Sequence, residues 1–228
     1  MGKIIIQEYT IKTPITMIGE EAGVCWGGDT GDASKNFKRG LDCLSSEHGR
    51  TFEFPDVYMI LDDYSARVIR EWYTHNGGAP TRLQSSTRYI DYQHGFDYVT
   101  PPSIANNSSA EIVYRDMMTG IAQSLYMLEQ LGIPREDSAL GLPLGMCTKC
   151  VVKHNLRNLI DMSHQRMCQR AYHEYRDELF PDIMNALREY SEEWRYLVDN
   201  YFKPKCEVTG FCTEKKSCKR KPRKMEVS

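Results

Sequence analysis

The chain has 228 residues, 41% of them hydrophobic and 26% charged, with a net charge of −2 at neutral pH. That length buries a real core in one domain with room for an appendage, and the composition is that of a soluble globular protein, not a fibrous or low-complexity one. No apolar run approaches the ~20 residues of a membrane span. No signal peptide is visible ahead of the first strand, so the expected compartment is the cytoplasm, and Ile6 stands where a myristoylation motif needs Ser or Thr.

In chain order, Ile4-Ile5-Ile6 and the alternation through Tyr9 and Ile11 predict a strand that Pro14 ends. Gly19 to Asp32 is glycine-rich and reads as a loop around Val24-Cys25-Trp26. Phe37, Leu41 and Leu44 predict a helix from Ala33 to Ser46, and Val57 to Leu61 a short buried strand. Val68, Ile69 and Trp72 share one face of a helix over Ser65 to His75. Tyr92 to Asn107 reads as loop. The clearest helix starts at Ser108 with Glu111 as a capping box, carries Met118, Ile121, Leu125 and Leu128, and stops at Gly132 and Pro134. Cys147 to His154 predicts a strand, and Asn155 opens a long helical region that Pro181 breaks. Leu187, Tyr190, Trp194 and Leu197 are expected to face a core in its second part.

Beyond Phe202 the chain turns basic. Nine Lys or Arg between Lys203 and Lys224 against Glu207 and Glu214 make a local balance of +7, leaving −9 elsewhere. With few apolar residues, this stretch is expected to be extended or disordered. The organisation predicted is one domain over 1–202 and a basic, cysteine-bearing tail over 203–228.

The most informative segment is Thr81 to Tyr89, where Arg82, Gln84, Ser85, Ser86 and Arg88 follow a Gly77-Gly78-Ala79-Pro80 break. Backbone amides, hydroxyls and guanidinium forks in one turn suit a phosphate. A second run, Asn155-Leu156-Arg157-Asn158-Leu159, is followed by Asp161 and Arg166.

Together these runs resemble the flavin-dependent (alternative) thymidylate synthases, from about Cys25 to Glu174. Val24-Cys25-Trp26 and His48-Gly49-Arg50-Thr51-Phe52-Glu53 are similar to two further segments of that family. The resemblance implies an α/β (α+β) subunit, an antiparallel sheet flanked by helices, assembling as a homotetramer with active sites between subunits. It implies reductive methylation of dUMP to dTMP, with methylenetetrahydrofolate as carbon donor and FAD reduced by NADPH. Gln84, Ser86, Thr87 and Arg88 would bind dUMP. Arg50, Thr51, Glu53, His75, Arg82, Asn155, Arg157 and Asp161 would contact FAD. Arg166 would lie on the uracil ring and act catalytically, without a covalent enzyme nucleophile.

The chain departs from the family pattern in several places. Thr74-His75-Asn76 replaces Arg-His-Arg, Gln84 replaces a glutamate, and Phe54 replaces a histidine. Asp161 stands where asparagine is frequent, and Ser138-Ala139-Leu140-Gly141 precede Leu142-Pro143 where the family has an arginine shortly before the Leu-Pro. A same-fold enzyme that modifies dUMP differently is therefore one alternative.

There is no Gly-x-Gly-x-x-Gly and no phosphate loop, and none of the eight cysteines sits in the motif of cysteine-dependent thymidylate synthases. Cys147-Thr148-Lys149-Cys150 has the spacing of half a zinc site, to which Cys206, Cys212 and Cys218 would add thiolates. That reading gives the other alternative, a zinc-stapled nucleic-acid-binding protein. Against it, the pair falls in a predicted strand and the tail's five-residue gaps are unusual for zinc, so free thiols, no metal and no nucleic-acid partner are expected.

Overall fold

The computed structural model describes residues 2–77, 79–92 and 94–227. The elements run β1 Lys3–Ile6, α1 Pro14–Cys25, α2 Ala33–Ser45, β2 Asp56–Ser65, α3 Ala66–Trp72, β3 Thr81–Gln84, α4 Pro102–Ala105, α5 Ser108–Gln130, α6 Arg135–Ser138, β4 Cys147–Asn155 and α7 Leu156–Arg166. A π-helical turn, Tyr175–Leu179, then leads into α8 Phe180–Tyr190, α9 Glu192–Tyr201 and α10 Lys205–Thr209. The sheet has the order β1-β2-β4-β3. Its central pair is antiparallel: Lys149 salt-bridges Asp62 and Lys153 salt-bridges Asp56, so β4 advances as β2 recedes. The architecture is the expected α+β one, helices around an antiparallel sheet.

The chain forms two compact units. Met1–Lys3, Leu61–Thr74 and Arg82–Val151 make the first, and Ile4–Ile60, His75–Thr81 and Val152–Ser228 the second. In the first, Tyr92, Leu125 and Met146 pack with Ala66, Phe96, Ile121 and Leu142. α5 buries Met118 and Leu125 but leaves Val113, Met117, Tyr126 and Met127 exposed, and Leu128, expected inside, is more than one-third exposed. Its N-cap is Asn107, whose side chain accepts from the Ala110 amide, so the capping box expected at Ser108 does not form.

In the second unit the glycine-rich stretch is no loop. Pro14 does not end a strand but starts α1, and Gly19 and Gly23 lie inside that helix. A Cβ at Gly19 would stand 1.8 Å from the Asn36 carbonyl oxygen, and one at Gly40 2.0 Å from that of Ile15. These glycines serve backbone-to-backbone packing of α1 on α2, which a reading of glycine as a breaker inverts. For the same reason α2 buries Asn36, Gly40, Cys43 and Leu44, while Phe37 and Leu41 are only half-buried. β1 stops at Ile6, and the alternation through Tyr9 and Ile11 continues as turn and coil.

The N-terminus of α1 lacks a local side-chain cap. The Glu193 carboxylate fills that role, accepting from the Ile15 and Thr16 amides at 2.7 and 3.0 Å. Trp194 Nε1 donates to the Ile11 carbonyl at 2.7 Å, and Tyr190 to that of Thr10 at 2.6 Å. Leu187, Trp194 and Leu197 are buried as expected, but Leu187 and Tyr190 belong to α8 and the other two to α9, with extended Ser191 between.

Pro181 does not break the helical region. The interruption comes after Arg166, and Pro181 sits in the first turn of α8, directly after the π turn. Proline lacks an N–H and crowds the carbonyl four residues back, and the wider π turn relieves both. The tail is also folded, through α10, the left-handed Gly210 and a bridge between Cys212 and Arg223. No described helix is long and apolar enough to cross a membrane.

Candidate active site

In the first unit, the segment expected to hold phosphate begins as β3. The Ser85 amide still pairs with the Lys149 carbonyl at 2.8 Å, and Gln84 Nε2 donates to Thr148 Oγ1 at 3.4 Å. The chain then turns. Ser86 Oγ accepts from the Arg88 amide at 3.4 Å, and the Ser86 carbonyl accepts from the Tyr89 and Ile90 amides. Among the described residues the Ser86 and Thr87 amides donate no hydrogen bond, which leaves two donors at the turn. The Arg88 guanidinium projects from it and salt-bridges Glu136 at 2.9 Å, with Arg88 62% exposed. That pair is weak enough to open for an anion. Arg82 turns away from the turn, stacking 4.7 Å over the Tyr73 ring and donating to the Trp72 carbonyl at 3.2 Å.

In the second unit, three residues far apart in sequence meet. Arg166 ends α7, where its charge suits the helix C-terminus. Its Nε–H donates to His75 Nε2 at 2.7 Å, and its guanidinium carbon lies 5.0 Å from the centroid of the Tyr175 ring. His75 meets the same ring edge-on at 6.3 Å. Accepting at Nε2 requires a neutral imidazole with its proton on Nδ1. α3 closes at Trp72, so His75 stands three residues past the helix it was expected to end. Tyr175, fully buried and stacked on Phe180, fixes the guanidinium plane. Sequence reading missed it, because the loop between α7 and the π turn removes any helical spacing from Arg166.

The first turn of α7 is set by its cap. Asn155 Oδ1 accepts from the Asn158 amide at 2.9 Å, and the buried His154 Nδ1–H donates to Asn158 Oδ1. Arg157, on the outer face, donates to Glu53 at 2.6 Å, not to Asp161 one turn on. Two cavities flank the Gly49 turn. One, of about 420 Å³, is lined by Arg157, Asp161, His164, Phe52, Leu44 and Lys203. The other, of about 470 Å³, is lined by Arg50, Thr51, Trp26, His48, Phe54 and Cys25. Both sizes fall within the ~300–1,000 Å³ of small-molecule sites. Burial lowers the His164 pKa below its usual value of 6.5, with Lys203 and Lys205 adding to the shift and Asp161 opposing it. This half-buried, neutral-leaning ring was not singled out from the sequence.

Cys147 and Cys150 do not form half a zinc site. Three residues apart on a strand, they point to opposite faces of β4. Cys150 is fully buried beside the Tyr73 hydroxyl, and burial raises its pKa, keeping it a thiol.

The family model of thymidylate synthase complementing proteins matches residues 8–190. The flavin-dependent thymidylate synthase of Nitratidesulfovibrio vulgaris is 31% identical over 180 residues, covering 75% of this chain and 70% of that protein. That of Thermococcus onnurineus is 30% identical over 138 residues, 58% of this chain and 54% of the relative. Among solved structures, the flavin-dependent enzyme of Helicobacter pylori, complexed with FAD and dUMP, superposes with a TM-score of 0.68 at 18% identity, covering 88% of this chain and 100% of that one. The UMP/dUMP methylase PolB of Streptomyces cacaoi, bound with 5-Br dUMP, also gives 0.68, at 14% identity over 89% of this chain and 96% of its own. At such identities these two establish the fold. With the family model spanning most of the sequence and a relative 31% identical over 180 residues, the chain belongs to the flavin-dependent thymidylate synthase family.

Proposed function

We propose that this protein makes dTMP from dUMP by reductive methylation, taking the carbon from methylenetetrahydrofolate and the electrons from NADPH through FAD. The observation that carries the reading is the Arg166 guanidinium, held from two sides by His75 and Tyr175 in a member of this family.

A cation fixed in advance stabilises negative charge as it develops, at no reorganisation cost. Arg166 placed on the pyrimidine draws charge onto the ring's carbonyl and nitrogen atoms and makes C5 more nucleophilic. No enzyme nucleophile is then needed. His75 is a positioning residue, its lone pair fixing the Arg166 fork. The Ser86 and Thr87 amides, the Ser86 hydroxyl and Arg88 take the dUMP phosphate, Glu136 releasing Arg88 as the dianion arrives. Gln84, bonded to Thr148, is the uncharged residue of that subsite.

The cavities beside Gly49 fit FAD by their donor set. Arg157 and Arg50 suit its pyrophosphate, and Phe52, Leu44, Trp26 and Phe54 offer apolar surface to its rings. Asn155 acts through the α7 cap, which places Arg157, with Glu53 and Asp161 at the rim and Thr51 beside Arg50. Arg82, already spent on Trp72 and Tyr73, keeps only an indirect part in the FAD contacts. FAD, when bound, supplies the two-electron chemistry that no side chain provides. The protein positions the reactants and supplies the field.

The exposed apolar row of α5, including Val113, Met117 and Met127, supports assembly into a homotetramer with sites between subunits. Residues 1–202 form the catalytic domain in this reading and 203–228 an appendage to it, in a cytoplasmic enzyme with no nucleic-acid partner. The test is tritium release from dUMP labelled at C5, with FAD, NADPH and methylenetetrahydrofolate omitted in turn. Release that needs all three is expected. No release from a folded, FAD-loaded protein would overturn the assigned reaction in favour of another modification of dUMP.

A further inference from the structure

Four of the eight cysteines come from separate places in the sequence to one cavity of about 570 Å³ in the second unit. Cys168 follows α7, Cys206 lies in α10, and Cys212 and Cys218 lie in the segment after it. All four are free thiols: Cys212 is buried, Cys168 and Cys206 are half-buried and Cys218 is exposed. The left-handed Gly210 (φ 79°) reverses the chain between Cys206 and Cys212. Cys212 is then pinned on both sides, its amide donating to the Pro222 carbonyl at 2.7 Å and its carbonyl accepting from the Lys224 amide at 3.2 Å. The loop carrying Cys218 is thereby closed over the cavity. Arg166, Arg170, Lys205 and Lys216 line the same space.

This segment has little else to hold it. Val208, Met225 and Val227 are exposed, and among the described residues of this stretch Pro204 and Cys212 are the apolar side chains that are buried. A stretch of this length with so little apolar burial ordinarily needs a staple. Four converging thiols are the number a tetrahedral metal takes, and the surrounding cations offset the two negative charges of a zinc tetrathiolate.

We propose that Cys168, Cys206, Cys212 and Cys218 bind one zinc ion that staples residues 203–227 to the C-terminal end of α7, next to Arg166. Binding releases the proton of each thiol, so the site tightens as pH rises. Among the described residues no group of three or more His, Cys, Asp or Glu side chains already stands at ligand positions. The site therefore closes around the ion by rotation of the cysteines into the cavity. The inference is distinct from the Cys147–Cys150 pairing, since Cys168 supplies the fourth thiolate, and it implies no nucleic-acid binding.

Elemental analysis of the full chain tests it, after loading with zinc sulfate under reductant and desalting. Roughly one zinc per chain is expected. Cys212→Ser and Cys218→Ala should each abolish it or weaken affinity by ~10-fold or more, while Cys25→Ser retains it. Cys218 is exposed, so its loss does not open a core, and the FAD content of that variant reports that the fold survives. Trypsin should cut between Lys215 and Lys224 much faster in the zinc-free variants. Substoichiometric zinc after loading, stoichiometric iron in its place, zinc retained by both variants, or two disulfides among these cysteines would each overturn the proposal. Metal content is read without turnover, so it stands or falls apart from the proposed reaction.

Discussion

Replacing Arg166 with alanine removes two contacts at once. The Nε–H to His75 is a hydrogen bond from a charged donor at 2.7 Å, a class that contributes about 1.5–3 kcal/mol, and the guanidinium over Tyr175 adds about 0.5–2 kcal/mol. Both lie toward the low end here, because Arg166 is only partly buried. The expected stability loss is therefore about 2 kcal/mol, enough to lower Tm by ~4–8 °C in a chain of this size. The loss in turnover should be far larger. Removing one preorganised donor from a developing charge costs ~10²–10³ in kcat, and alanine also lets the His75 ring rotate. Arg166→Lys keeps the charge but loses the planar fork, so it should recover turnover only in part. The assay is C5 tritium release at saturating dUMP, beside FAD content and thermal unfolding of each variant. Turnover within threefold of the parent in a folded, FAD-loaded Arg166→Ala protein would refute the assigned role. A kcat loss that only matched the loss of stability would refute the argument from preorganisation.

Gly40→Ala puts a methyl 2.0 Å from the Ile15 carbonyl oxygen, so α1 and α2 must separate. Overpacking against backbone should destabilise by about 3 kcal/mol or more in denaturant titration. Arg157→Ala should leave stability within about 1 kcal/mol, because its pair with Glu53 is half exposed, yet raise the FAD dissociation constant in fluorescence titration at least tenfold. Burial first, then the charges of Glu174, Asp182 and Asp177, raise the Glu178 pKa above its ordinary 4.5. The folded state thus binds this proton more tightly than the unfolded chain, so Glu178 destabilises above its folded pKa and that penalty disappears as pH falls toward 4.5. Glu178→Gln should then be more stable than the parent at pH 7 by chemical denaturation, with the difference closing on acidification.

The legibility of this chain followed the range of the interaction concerned. Elements governed by local alternation or a cap were readable: β4 within a residue, α7 with Asn155 at its head, and α5 through Gly132. Elements whose residues serve a contact elsewhere in the chain were not. Gly19 and Gly40 have the local signature of flexibility, and only the approach of the other helix shows that they are sites of tightest packing. The N-terminus of α1 looks uncapped because its cap, Glu193, lies 178 residues from Ile15. The tail's composition predicted disorder, since composition does not reveal that Cys168 and the three later cysteines share a cavity.

The same distinction separates the parts of the candidate site. The phosphate turn is local: Ser86, Arg88 and two unused amides lie within three positions, and the sequence displays them together. Arg166 was recognisable only through resemblance, because what sets its plane is two rings brought in from 91 residues upstream and from across the loop after α7. The Arg-His-Arg departure at Thr74 and Asn76 follows the same division. Those positions lost two charges, but the residue that orients Arg166 through its ring nitrogen is His75, which is retained. A site whose field comes from one arginine fixed by neutral rings tolerates the loss of neighbouring cations better than the loss of a ring. Thr74→Arg and Asn76→Arg should therefore change turnover less than His75→Ala does.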